Sequence, residues 1–193
     1  MDSTWTDHLE ASIAIREALR TDAEVAAWVD RVTDLLVRTL QGDGAIYTCG
    51  NGGSAADALH VAGELSGRFH IDRPALNAEF LNPNPVALTA MANDYSFDEV
   101  FSRMVRGRMR SGDVLWAFST SGNSPNVVEA VRAAPDREVH TVLITGRWGG
   151  RGAELADHCL RIPSDDVPHI QEASMMVAHV ICARVEHALF GGD

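Results

Sequence analysis

The sequence has 193 residues, 46% hydrophobic and 22% charged, which fits one folded domain and excludes a disordered or fibrous chain. No stretch approaches the roughly 20 uninterrupted apolar residues of a membrane span, and the acidic, polar start MDSTWTDHLE is unlike a signal peptide; the expected location is the cytoplasm, with no membrane partner. A formal charge of −11 argues against nucleic acid as the main ligand, because phosphate backbones need a basic footprint.

Residues 4–41 read as two helices. Trp5, Leu9, Ile13, Ala18 and Leu19 form a sparse apolar stripe. Thr21 followed by Glu24 has capping-box spacing and is expected to start the second helix, in which Val25, Trp28, Val29, Val32, Leu35, Leu36 and Leu40 recur at helical spacing until Gly42 and Gly44. Both helices precede the first strand, so their stripes must bury either against another subunit or against the chain's own sheet; the first is favoured.

The pattern then alternates. A short strand over 45–49 leads into Gly50-Asn-Gly-Gly-Ser54 and a helix over 55–65. A second strand is expected over 75–81, a turn at Asn82-Pro-Asn-Pro85, and helices over 86–92 and 97–109. After the turn Ser111-Gly-Asp113 comes a strand over 114–119, then the loop Thr120-Ser-Gly-Asn-Ser124. Pro125 suits a first helical turn, with Ser124 as its N-cap, and that helix runs to Ala134. A strand over 139–145, the Gly-rich stretch 146–152, a short helix, a strand over 159–162 and a long helix over 169–189 complete the chain. Five short strands alternating with helices predict an α/β three-layer sandwich around a mostly parallel five-stranded sheet. The whole chain, 1–193, is expected to be one domain: 1–41 as N-terminal helices in an oligomer interface, 42–193 as the sheet–helix core.

None of the 16 basic residues is lysine, which excludes a Schiff-base lysine and a Walker-type phosphate lysine. Phosphate must be held by backbone N–H groups, hydroxyls or arginine. Cys49, Cys159 and Cys182 form no C-x-x-C pair and read as reduced core residues.

In open α/β sheets, ligands bind at the carboxyl ends of strands. Two such ends carry unusual loops. Gly50 to Ser54 lets backbone approach a ligand, and the next helix offers free N–H groups. Ser119-Thr-Ser-Gly-Asn-Ser124 places four hydroxyls at a helix start, more than one cap needs, and points to a compact phosphate. A dinucleotide is disfavoured, since no G-x-G-x-x-G is present. His60 and Glu64 share one helix face beside the first loop. The last helix carries Gln171, Glu172 and His179. A His, a carboxylate, an amide and a second His suit zinc; alternatively Glu64 and His179 suit a general base and acid. The histidines His8, His70, His140, His158, His169 and His187 read as ordinary surface or strand residues. Asn93-Asp94 reads as a turn after a helix ending at Ala92, or as a sugar-hydroxyl contact. Arg68 reads as ending the His60–Glu64 helix and capping its C-terminus electrostatically, or as reaching a phosphate.

Taken together, Cys49-Gly-Asn-Gly-Gly-Ser54, His60, Glu64, Arg68, Ala92-Asn-Asp94, Ser119-Thr-Ser-Gly-Asn-Ser124, Thr145-Gly146, Ile170-Gln-Glu172 and His179 resemble the sugar isomerase (SIS) family, and within it the phosphoheptose isomerases. The resemblance spans nearly the whole chain. It implies conversion of sedoheptulose 7-phosphate into D-glycero-D-manno-heptose 7-phosphate through an enediolate. It assigns Glu64 as the carbon base and His179 as acid–base at oxygen. Ser119, Thr120, Ser121 and Ser124 would hold the phosphate. Asn51, Gly52, Gly53, Ser54, Asn93, Asp94 and Arg68 would position the sugar, with Gln171 also at the substrate. It implies one zinc per subunit on His60, Glu64, Gln171 and His179, and a homotetramer with active sites between subunits. An ion on Glu64 stabilises its anion and weakens it as a base, whereas an ion acting on the substrate oxygens polarises them. Some relatives carry an Asp three residues before the glutamine, where this chain has Pro168; Asp165 or Asp166 would replace that contact. The same fold also serves a non-catalytic scaffold resembling a replication initiator-associating protein, and sensors or isomerases of other phosphosugars. His60, Glu64 and His179 together favour catalysis, and no DNA-binding helix-turn-helix precedes the domain.

Overall fold

A computed structural model describes residues 4–81 and 84–192. The expected turn at 82–85 therefore lies partly outside the described residues, as do the first three residues of the N-terminal segment. In chain order the elements are α1 (Trp5–Thr21), α2 (Ala23–Gln41), β1 (Ile46–Cys49), α3 (Gly53–Ser66), β2 (Ala78–Phe80), α4 (Pro85–Asp94), a 3-10 turn (Phe97–Glu99), α5 (Val100–Arg108), β3 (Val114–Ser119), α6 (Pro125–Ala133), a second 3-10 turn (Pro135–Arg137), β4 (His140–Gly146), α7 (Gly150–Leu155), β5 (His158–Ile162) and α8 (Val167–Phe190).

Among the described residues, five strands form one sheet in the order β2-β1-β3-β4-β5, and every neighbouring pair is parallel. Ile46 pairs with Val114, and Ser119 pairs with Thr145. The strand order reverses between β1 and β3, so their carboxyl ends open the crevice where such sheets take ligands. The two loops singled out above leave from these two ends.

Alternate strand residues point to opposite faces and build two cores. One face carries Ile46, Trp116, Phe118, Val142 and Ile144 against α2, α3 and α8. The other carries Cys49, Leu115, Ala117 and Leu143 against α5 and α6. This is the expected three-layer sandwich. α8 is long and apolar enough to meet the length and composition of a membrane span. Its residues Ile170, Ala173, Val177, Ile181 and Val185 are buried in the first core, which accounts for that apolarity.

Several local expectations are corrected. Thr21 does not cap α2: its hydroxyl donates back to Glu17 O and Ala18 O, and Asp22 is the N-cap, accepting from Glu24 N at 2.8 Å. The capping box sits instead at Thr4 and Asp7, at the start of α1. Only 78–80 of the expected strand 75–81 pairs with β1. α4 continues through Asn93 and Asp94 rather than ending at Ala92. Residues 97–99 form a 3-10 turn before α5. α8 begins at Val167, with Pro168 in its first turn, where a missing N–H costs nothing.

The apolar stripe of α2 (Trp28, Val29, Val32, Leu35, Leu36) is buried in the chain's own first core, not held for another subunit. The stripe of α1 is different: Trp5 is 77% exposed and Ile13 64%.

Candidate active site

Gly52 (φ +55°) is the N-cap of α3, and no side chain caps this helix, so its first N–H groups face the crevice. Thr48 Oγ1 donates to Ala58 O at 2.7 Å and fixes α3 on β1. Gly53, Asp57, His60 and Glu64 then fall within about 60° of one another around the helix. α8 runs alongside this face. A Cβ on residue 53 would stand 2.2 Å from Gln171 Nε2, so only glycine lets Gln171 reach the cradle. Seven residues further along α3, His179 Nε2 lies 3.1 Å from His60 Nε2, and His60 Nε2 lies 2.9 Å from Glu64 Oε1. The ligand atoms of His60, Glu64 and His179 lie within 4.8 Å of one another. Two imidazoles and a carboxylate are a donor set that suits zinc. Gln171 lies against Gly53 at the first cradle, two turns before His179 on α8, and Glu172 turns away toward α1.

The second cradle follows β3. Ser119 Oγ and Ser124 Oγ stand 3.1 Å apart. Ser124 occupies the N-cap position of α6 as expected, but its side chain makes no cap bond; it faces Ser119 instead. Gly122 has φ +64°, and a Cβ there would lie 1.9 Å from Gly149 O, so the loop closes tightly on the loop after β4. Asn123 Oδ1 accepts from Arg151 N at 3.0 Å, a second tie between these loops. A cavity of about 390 Å³ opens beside them, lined by Thr120, Ser121, Asn123, Arg147, Trp148 and Asp165 among others. Of the two acids weighed against Pro168, Asp165 lines this cavity and pairs with Arg147 at 3.2 Å, while Asp166 faces His169.

The two cradles are joined by a reciprocal amide pair. Asn51 Nδ2 donates to Asn126 Oδ1 at 2.7 Å, and Asn126 Nδ2 donates to Asn51 Oδ1 at 2.9 Å. Asn126 is fully buried and also accepts from its neighbour Val127 N. Sequence reasoning missed Asn126, because its partner lies 75 residues away. Arg68 is exposed two residues beyond the end of α3, whose C-cap residue is Gly67. Asn93 and Asp94 are exposed at the end of α4, bonded to each other at 2.9 Å.

Asp57 was also missed, although its spacing to His60 and Glu64 marks the same helix face. Burial pushes its carboxyl up to about 6, against the opposing pull of His60. Its folded-state value lies above the unfolded one, so its charge costs nothing below about pH 4 and the full amount above about pH 6. Asp57→Asn is expected to raise stability at pH 8 by about 1 kcal/mol, solvent screening discounting the larger shift-derived figure, and to change nothing at pH 4. Thermal melts of both proteins at the two pH values check this; equal melting at pH 8 contradicts it.

Burial likewise pushes Cys49 and Cys182 up to about 12, and raises Cys159. All three cysteines are free; Cys49 and Cys182 are buried as core thiols, whereas Cys159 is half-buried on the edge strand β5.

The SIS domain family pattern matches residues 9–146. The chain is 39% identical over 190 residues to the phosphoheptose isomerase of Aneurinibacillus thermoaerophilus, covering 98% of this chain and 96% of that one. It is 44% identical over 189 residues to the phosphoheptose isomerase of Bradyrhizobium sp., with the same coverage. The structure of a phosphoheptose isomerase from Neisseria gonorrhoeae superposes with a TM-score of 0.87 at 40% identity, covering 94% of this chain and 96% of that one.

Proposed function

The chain belongs to the SIS domain family and is a phosphosugar isomerase acting on a phosphorylated heptose, and from that premise we propose that it interconverts sedoheptulose 7-phosphate and D-glycero-D-manno-heptose 7-phosphate. The observation that carries this reading is the layout along α3. The cradle at the start of α3, tied through Asn51 and Asn126 to the phosphate-type cradle at the start of α6, stands at one end of the crevice; His60 stands about 10 Å further along α3, with Glu64 one turn beyond it and His179 facing them from α8. That separation suits a seven-carbon chain with its phosphate on C7 and its reaction at C1 and C2.

In this reading Ser119, Thr120, Ser121 and Ser124 donate to the phosphate, aided by the free N–H groups at the start of α6. Asn51, Gly52, Gly53, Ser54, Gln171 and Asp165 orient the sugar; Arg68, Asn93 and Asp94 complete it from their exposed positions. Glu64 takes a proton from C1 of the ketose, leaving an enediolate, and returns it to C2. His179 carries the matching proton between O2 and O1. No atom is gained or lost. His60, Glu64 and His179, with Gln171 as the fourth ligand, would hold one zinc, which when bound supplies charge stabilisation for the developing enediolate oxygens. Trp5, Leu9 and Ile13 on the exposed face of α1 would pack against another subunit in a homotetramer. The whole chain would act as one domain in the cytoplasm.

The test is incubation with sedoheptulose 7-phosphate, following the aldose by NMR with added zinc and with chelator. Product formation supports the reaction; a folded protein giving none in either condition overturns it. Ser119→Ala and Ser121→Ala are each expected to raise KM about tenfold with kcat within a few-fold, matching the loss of one hydrogen bond to a charged group. Steady-state kinetics at saturating substrate check this, and an unchanged KM would move the phosphate elsewhere.

A further inference from the structure

A second cluster of donors lies outside the α3–α8 groove, where the first turns of α1 meet the start of α8. His8 Nε2 is 2.9 Å from Glu172 Oε1, and Ser12 Oγ donates to Glu172 Oε2 at 2.8 Å. The His169 ring lies 4.2 Å from the His8 ring, centroid to centroid. His169 Nδ1 is 3.8 Å from Glu172 Oε2. One ligand atom from each of His8, His169 and Glu172 falls within 4.8 Å of the others. Reading these histidines as ordinary surface residues is therefore corrected: α1 and α8 bring together positions more than 160 residues apart.

Proximity alone does not make a site. The independent observation is His169, whose side chain is nine-tenths buried and whose Nδ1 has no hydrogen-bond partner among the described residues. A buried imidazole nitrogen without a partner is costly unless something binds it. Its other nitrogen, Nε2, faces Asp166 Oδ2 at 3.6 Å. A carboxylate near the far nitrogen stands where a small shift gives the hydrogen bond that orients a metal-bound imidazole. A cavity of about 680 Å³ lies against the cluster, lined in part by Asp7, His8, Asp165, Asp166 and His169, and gives an ion access and room for water ligands.

We propose that His8, His169 and Glu172 form a second metal site, for a divalent ion of the zinc class, which clips α1 onto α8. Two imidazoles and one carboxylate match the nitrogen–oxygen preference of such ions rather than the all-oxygen preference of calcium or magnesium. The ion takes the position between Glu172 and the two rings, and Ser12 keeps the carboxylate oriented. With α1 otherwise presenting exposed Trp5 and Ile13, the clip fixes how that helix is displayed.

The test uses the full-length protein carrying His60→Ala and His179→Ala, which removes the first cluster. Metal-stripped protein is titrated with zinc and bound metal is counted after free ions are removed. One equivalent is expected per chain. Adding His8→Ala, on an accessible helix face, is expected to weaken that binding at least tenfold, and Glu172→Gln, which keeps the side-chain volume, to do the same. Zinc is also expected to slow amide exchange over 5–12 in the wild type and not in His8→Ala. No bound zinc in the double variant, or equal binding with and without His8, overturns the proposal and leaves a plain hydrogen-bonded contact between two helices.

Discussion

Glu64→Gln is expected to lower kcat by about a thousandfold and to leave KM within a few-fold of wild type. The magnitude is that of losing a positioned general base, which contributes roughly 10²–10⁴ in rate. Gln keeps the volume and the oxygen that faces His60 Nε2 at 2.9 Å, so the helix face and its neighbours have no reason to rearrange. What it loses is the ability to accept a proton from carbon. Phosphate affinity is set at the second cradle, on β3 and α6, away from this change. The split between kcat and KM is therefore the informative readout.

A second readout isolates the proton step. In deuterium oxide, a wild-type enzyme that moves the proton through a side chain exchanges part of it with solvent, so deuterium enters the product at C2. In Glu64→Gln both turnover and this wash-in are expected to fall together. Turnover like wild type in a folded variant would remove Glu64 from the role of base. Loss of turnover with exchange preserved would place Glu64 at a later proton transfer.

How much of this was legible in the sequence depended on whether the information was local. β3 was read to the residue, since Ser111-Gly-Asp113 marks its start and all six of its residues are buried. Both cradles were legible because glycines and clustered hydroxyls act where they stand. His60 and Glu64 were legible as an i, i+4 pair. The reading of 75–81 as a strand overran because Leu76 is apolar for a different reason: it packs on the first core from irregular chain, and its N–H bonds Leu65 O. What stayed hidden was pairing over long separations: Asn51 with Asn126, His8 with His169 and Glu172, and Arg73 with Glu186. Periodicity tells which face of a helix is inward, but not which distant side chain meets it.

The last of those hidden pairs carries the second large expected effect: Glu186→Gln should destabilise the fold by about 3–5 kcal/mol, the range for breaking a buried ion pair on one side. Both side chains are only 1% exposed. Glu186 Oε1 accepts from Phe69 N and Arg73 Nε; Oε2 accepts from His70 N and Ile71 N. Arg73 in turn donates to the carbonyls of Glu64, Leu65, Gly67 and Pro74, closing the end of α3. Burial alone would raise the Glu186 carboxyl, but three backbone N–H groups and the Arg73 guanidinium outweigh it and hold it down at about 2. Its folded-state value lies below the unfolded one, so its stabilisation is present above about pH 4.5 and fades as pH falls toward 2. In Gln the amide NH₂ would face N–H donors and leave Arg73 buried without its counter-charge. The expected drop in melting temperature at pH 7 is roughly 10 °C, shrinking in acid. Chemical denaturation at pH 7 and pH 3 measures it, and a double-mutant cycle with Arg73→Met separates the pair from its parts, the double variant being less destabilised than the sum of the singles. Because Arg73 holds the Glu64 carbonyl, the same variant should also loosen the turn carrying the proposed base, so kcat should fall by more than the unfolded fraction explains. A variant as stable as wild type would mean that the 67–74 segment is held by its apolar contacts, with the ion pair adding nothing net.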